Sequence, residues 1–101
     1  MKIAWAVSAA LVYNMTQTTR LLRPGIVTAR QLDLLVLLTR TKSEDVIAAL
    51  CDHLVKGWNL SNAANMNGVS PANLQRAFYR LERAAQIIEQ YTHLQEYKDQ
   101  E

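Results

Sequence analysis

The stretch LSNAANMNGVSPANLQRAFYRL, residues 60–81, decides the fold. It divides into a short helical segment, a sharp interruption at Asn67, Gly68, Val69 and Ser70, and a second helix opened by Pro71. The Ser70 hydroxyl can accept from one of the amides left without a partner at a helix start. Pro71 in the first helical position gives up only an N–H that has no intrahelical acceptor, and its fixed φ suits the helix. Around this break, Ala64, Gly68, Val69, Leu74 and Ala77 stand at the spacings of a helix-turn-helix. Ala64 permits close crossing, Gly68 can take the positive φ of the turn, and Val69, Leu74 and Ala77 anchor the second helix on the core.

The side of that helix turned away from its anchors carries Ser70, Ala72, Asn73, Gln75, Arg76, Tyr79, Arg80 and Arg83. Hydroxyl, carboxamide and guanidinium groups of this kind meet base edges and phosphates in DNA. Asn73, in the first turn, and Arg76, one turn farther on, are the candidate base contacts. Gln75 is a second source of selectivity, Arg80 and Arg83 are candidate phosphate contacts, and Ser70 and Tyr79 complete the set. Each has a plainer alternative: Asn73 can serve the cap, Tyr79 can belong partly to the core, and the arginines can cover apolar surface or pair with Glu82.

Outward from this unit, Leu74, Ala77, Phe78, Leu81, Ala84, Ala85 and Ile88 continue one broad apolar face. The long helix is therefore expected to reach Tyr91 or beyond, with 94–101 as a frayed polar tail. Toward the N-terminus, Ser43 stands before Glu44 and Asp45, a cap followed by two carboxylates in the favourable field of a first turn. Val46, Ile47, Leu50, Cys51, Leu54 and Val55 make the apolar stripe of this helix, and Gly57 offers its stop. Cys51 reads as a packing residue and His53 as a surface or interface residue. Before it, the Pro24–Gly25 turn and a Thr28 cap introduce a segment from Ala29 through Leu38, expected as a short, deeply packed helix. A buried strand also fits Leu34 to Leu38 by pattern, but the leucines and the scarcity of β-branched residues favour helix.

With 101 residues, 50% of them apolar and 20% charged, the chain is expected to form a single helical domain over 1–101. One cysteine excludes an intramolecular disulfide framework. The formal net charge of +2 conceals an uneven distribution. Lys2, Arg20, Arg23, Arg30, Arg40 and Lys42 against Asp33 leave residues 1–43 strongly basic, and Arg76, Arg80 and Arg83 against Glu82 form a second basic stretch. Acids prevail between and after them. A fold that joins the basic regions would steer a polyanion.

Catalysis finds no footing in this sequence. His53 and His93 are far apart, no nucleophile stands with a base and an orienting group, and the Cys, His and acidic residues lack metal-ligand spacing. There is no phosphate-cradling glycine loop or dinucleotide fingerprint. No enzyme activity, metal or cofactor is expected. The apolar run Ile3 to Tyr13 after Lys2 has features of a short secretory signal, but it is too short to span a bilayer as a helix. Residues 1–20 read instead as an arm or oligomer-contact helix, and no membrane partner is expected.

The landmarks taken in order resemble the PapB-type family of fimbrial (adhesin operon) transcription regulators. They are Leu22, Pro24 and Gly25; Leu34 through Leu38; Ser43, Val46, Ile47, Ala49, Leu50 and Asp52; Leu54, Val55 and Gly57; and Arg80 and Leu81. The resemblance covers Leu22 to Tyr91. It implies an all-α regulator that binds AT-rich double-stranded promoter DNA, works in the cytoplasm and assembles as a homo-oligomer. Where the family carries an arginine at the start of the first helix of the motif this chain has Leu60, and where it carries a cysteine this chain has Ala64.

The expected architecture is thus an all-α, small helix-turn-helix domain with a long C-terminal recognition-side helix. Its expected function is DNA-binding regulation of transcription from a bacterial fimbrial or adhesin operon. The alternative is a non-catalytic helical module for oligomerisation or protein interaction. Leu21, Leu22, Leu32 and Leu35 are the expected oligomer contacts.

Overall fold

Helix α1, Ala29–Leu38, begins at a reciprocal capping box. Thr28 Oγ1 accepts from Gln31 N–H at 3.1 Å, and Gln31 Oε1 accepts from Thr28 N–H at 3.0 Å. Helix α2, Glu44–Leu50, is capped by Ser43, whose hydroxyl accepts from Val46 N–H at 3.3 Å, with Glu44 and Asp45 in the first turn. A π turn over Cys51–Val55 extends it. Helix α3, Leu60–Met66, starts where Asn59 Oδ1 accepts from Asn62 N–H at 2.8 Å. Helix α4, Pro71–Asp99, is the longest element at 29 residues. These boundaries come from a computed structural model that describes residues 20–99. Among them there is no strand, so the domain is all-α.

Helix α4 packs against α1, α2 and α3. Its Leu74, Ala77, Phe78 and Leu81 join Leu50, Leu54, Ala63 and Ala64 in one core with Leu22, Val27, Leu32 and Leu35. Leu50, Leu54, Leu74 and Leu81 are the largest side chains fully shielded from water. Burial of each is worth about 1.5–3 kcal/mol relative to exposure. Alanines at 63, 64 and 77 let α3 and α4 approach closely. The chain ahead of α1 doubles back on the π turn, where Val27 N–H donates to the Leu54 carbonyl at 3.2 Å and the backbones of Gly25 and Gly57 meet.

Three expectations are corrected. The helix from Ser43 toward Gly57 is not α-helical throughout. At the π turn Lys56 N–H reaches the Cys51 carbonyl at 3.1 Å, and Trp58 N–H then returns to the Asp52 carbonyl at 2.9 Å. With it His53 is buried, not a surface residue: its Nδ1 donates to the Trp58 carbonyl at 2.7 Å, and its ring meets Phe78 edge-on at 5.8 Å. A buried imidazole needs such a partner.

The second correction concerns α1. Leu34, Leu37 and Leu38 are 60%, 75% and 58% exposed, not deeply packed. Five consecutive apolar residues wrap around a helix of 3.6 residues per turn, so one packed face cannot cover them all. Leu22, Leu32 and Leu35, expected at an oligomer contact, lie inside the subunit core, packed with α4 and the π turn, while Leu21 is half-buried. Third, α4 continues through the expected frayed tail as far as Asp99. Leu94, Gln95, Glu96 and Lys98 are good helix formers, and neither glycine nor proline interrupts them. The expected arm over 1–20 lies outside the described residues except for Arg20.

The turn between α3 and α4 is fixed by backbone conformation and by one carboxylate. Gly68 has φ +69°, and the space where a Cβ would stand is open. Asn67 Nδ2 donates to Asp52 Oδ2 at 2.9 Å and to the Ala63 carbonyl at 2.8 Å, tying the turn to the π turn behind it. Lys56 completes the bridge at 3.1 Å from Asp52 Oδ1. The Asn67 amide first, and then Lys56, hold the Asp52 carboxyl below its ordinary value of 3.8.

Gly68→Ala should therefore destabilise the domain by about 1–2 kcal/mol through φ alone, and Gly68→Asn by less, as read from urea unfolding midpoints. Because the folded state lowers the Asp52 pKa, its contribution is present above the unfolded value and is lost as pH falls below 3.8 through the folded value. Asp52→Asn should flatten that acid limb of the stability profile, measured by thermal unfolding across pH.

Candidate nucleic-acid interface

The structure brings the expected helix-turn-helix residues together. Ala64 is fully buried where α3 meets α4, and its carbonyl accepts from both Asn67 N–H at 3.1 Å and Val69 N–H at 2.9 Å, closing the turn. Leu74 and Ala77 are fully buried, and Val69 packs half-buried against them. Ser70 caps α4, its Oγ accepting from Asn73 N–H at 3.2 Å, with Pro71 as the first helical residue. Leu60 packs half-buried against the core, so the start of α3 presents an apolar side chain.

Once one face of α4 is committed to the core, the spacing of its residues dictates what the opposite face presents. At about 100° per residue, Arg76, Arg80 and Arg83 fall in one narrow stripe, with Asn73 at its leading edge and Tyr79 at its flank. Ser70, Asn73, Gln75, Arg76, Tyr79, Arg80 and Arg83 are all exposed. Among the described residues none of these three arginines is ion-paired with a carboxylate. Glu82, the nearest acid in sequence, is turned inward and only 5% exposed. The stripe thus presents uncompensated positive charge.

Two local networks order the polar side chains. Arg76 Nη2 donates to Asn73 Oδ1, so the two candidate base contacts are coupled to each other. Gln75 Nε2 donates to the Tyr79 hydroxyl at 3.0 Å. The Arg20 guanidinium lies 5.2 Å from the Tyr79 ring centroid and 5.3 Å from that of Phe78. Arg20 first and then Gln75 lower the Tyr79 hydroxyl pKa below its ordinary 10.0. Tyr79 is therefore a polar surface residue that abuts the core through Phe78, their rings 5.9 Å apart.

Sequence spacing does not single out Arg20, Asp52, Asn67 or Glu82 as residues that shape this surface. For Glu82 a signal exists: it stands between Phe78, four residues before, and Ala85, three after, at the margin of the apolar face. For Arg20 there is none, because its partners lie almost sixty residues away. Among the described residues no group of acids, histidines and cysteine could hold a metal ion, and no helix is long and apolar enough to cross a membrane.

Comparison with known proteins agrees with this architecture. The solved structure of E. coli FocB superposes with a TM-score of 0.69 at 20% identity, covering 86% of this chain and 97% of that one; the likeness is one of fold. The F1845 adhesin operon regulatory protein of Escherichia coli is 39% identical over 64 residues, 63% of this chain and 75% of that protein. The AFA-III adhesin operon regulatory protein of Escherichia coli is 37% identical over 68 residues, 67% of each chain. A family model described as adhesin biosynthesis transcription regulatory protein matches residues 7–95. With the match spanning most of its length, the chain belongs to the PapB family of non-catalytic adhesin biosynthesis transcription regulators.

Proposed function

We propose that this regulator binds AT-rich double-stranded promoter DNA of a fimbrial or adhesin operon in the cytoplasm, as a homo-oligomer, with the outer face of α4 as its reading surface. The observation that carries the reading is the exposed stripe of Arg76, Arg80 and Arg83, free of carboxylate partners among the described residues, on the second helix of a helix-turn-helix. The arginines supply phosphate neutralisation. Selectivity comes from Asn73, Gln75 and Arg76 at the leading turns, where a recognition helix approaches base edges. The Asn73–Arg76 bond holds both side chains in place before DNA arrives, which lowers the ordering cost of binding. Ser70 and Tyr79 border the same surface.

The oligomer contact uses a different face. With Leu22, Leu32 and Leu35 in the core, the large exposed apolar side chains of the N-terminal half, among the described residues, are Ile26, Leu34, Leu37 and Leu38. Leu34 and Ile26 also rim a groove of about 410 Å³ between α1 and α4, together with Leu21 and Ile88. A self-complementary apolar patch is the usual basis of a two-fold contact. This exposed face also supports the second reading, a module that only assembles.

Arg76→Ala and Arg80→Ala should each weaken binding to an AT-rich duplex and lower the slope of log affinity against log salt by about one. Asn73→Ala should mainly change the preference between AT-rich and G·C-rich duplexes. Unchanged affinity in the Arg76→Ala, Arg80→Ala double variant would remove this surface from the interface. Leu34→Glu with Leu37→Glu should shift the protein to a smaller species in sedimentation. A stable oligomer with no duplex affinity would establish the interaction-only reading.

A further inference from the structure

Glu82 is a carboxylate on a DNA-facing helix that does not face outward. It accepts from Leu21 N–H at 2.9 Å through Oε2 and from Leu22 N–H at 3.0 Å through Oε1, and Gln86 Nε2 donates to it at 3.3 Å. Charge-assisted bonds to two successive amides are among the stronger hydrogen bonds, and a buried carboxylate without them would be costly. They fix the path of the chain at 21–22 along the flank of α4. Fixing that path sets the preceding residue, Arg20, with its guanidinium over the rings of Phe78 and Tyr79. Both separations are within the ~6 Å range of a cation–π contact.

Tyr79 stands three residues after Arg76 and four before Arg83, so Arg20 arrives at the edge of the arginine stripe from a distant part of the sequence. Its side chain remains exposed. We propose that Arg20 is a fourth cation of the DNA-binding surface, contacting a backbone phosphate beside α4, and that Glu82 is its positioning residue, acting through the amides of Leu21 and Leu22. The inference rests on the DNA-binding reading of α4. An arginine already laid on two rings loses less rotamer freedom when the phosphate arrives than one that is loose in water. The acid therefore favours binding of a polyanion even though its own charge opposes it.

That opposition of signs supplies the test. The full chain is titrated with a fluorescein-labelled AT-rich duplex across a salt series, with the Arg76→Ala, Arg80→Ala variant as a check on the reading itself. Arg20→Ala should weaken binding roughly tenfold and lower the salt slope by about one. Arg20→Lys should fall between it and the unsubstituted chain, since the charge stays and the planar stack is lost. Glu82→Gln removes a negative charge, which by long-range electrostatics alone would tighten binding. As the positioning residue it should instead weaken binding, because its amide group meets a second backbone donor with a donor. The Arg20→Ala, Glu82→Gln double variant should bind no more weakly than Arg20→Ala alone.

Tighter binding by Glu82→Gln would overturn its positioning role. Unchanged affinity and slope in Arg20→Ala, while Arg76→Ala, Arg80→Ala weakens binding, would overturn the inference and leave the DNA reading standing. Failure of the unsubstituted chain to bind the duplex would overturn both. Circular dichroism reports whether Glu82→Gln folds; if it does not, Arg20→Ala and Arg20→Lys, altered only at an exposed side chain, decide.

Discussion

The packed face of α4 is the constraint on which the rest of the structure depends. Leu74, Ala77, Phe78 and Leu81 are buried along it, and among the described residues each of the three other α-helices packs on this helix. A helix has one face to give to a core, so assigning those residues inward compels Arg76, Arg80 and Arg83 outward with no further instruction. The exposed arginine stripe is in this sense a by-product of core packing. The turn before it sets where the helix begins: Gly68 reverses the chain, Ser70 caps, and Pro71 starts the first turn.

What was legible in the sequence was whatever local chemistry decides. The caps at Thr28, Ser43 and Ser70, the break at Gly68 and the inward row of α4 all follow from residue type and spacing over a few positions. What was not legible depended on long-range geometry. The run Leu34 to Leu38 reads as buried because it is uniformly apolar, yet burial needs a partner on every side, and among the described residues α1 packs on α4 and the π turn while Leu34, Leu37 and Leu38 stay exposed. His53 reads as a surface or interface residue, but the π turn and the returning Trp58 carbonyl make its burial inside the subunit tolerable. Of the candidate site, periodicity could list the exposed positions on α4 and place Glu82 at the margin of the apolar face, whereas the backbone amides that Glu82 meets and the arrival of Arg20 could not be read from it.

The charge distribution gains meaning from the same comparison. Counting Glu82 against the arginines dilutes the second basic stretch, but its carboxylate is spent on two backbone amides and lies behind the helix. Arg20, counted with the distant N-terminal stretch, stands over Tyr79 instead. The fold thus separates the acid from the surface and adds a cation to it. The formal +2 of the whole chain describes neither effect.

Geometry also bears on why such a regulator would assemble. From Arg76 to Arg83 the stripe rises about 10 Å along α4, at about 1.5 Å per residue. That length faces about three base pairs at 3.4 Å each, and a mismatch in a site typically costs about 1–3 kcal/mol. Three positions cannot distinguish one promoter among the very many competing sites of a genome. On the DNA-binding reading, a single subunit must then rely on neighbours, because several weak and individually unselective contacts multiply when they are held together. The exposed Leu34, Leu37 and Leu38 lie on α1, an element that contributes nothing to the arginine stripe, so the proposed contact with a second copy and the proposed contact with DNA use different faces. On the proposed reading, the short arginine stripe and the exposed leucines of α1 belong together: the core orients one helix, and selectivity is assembled between subunits.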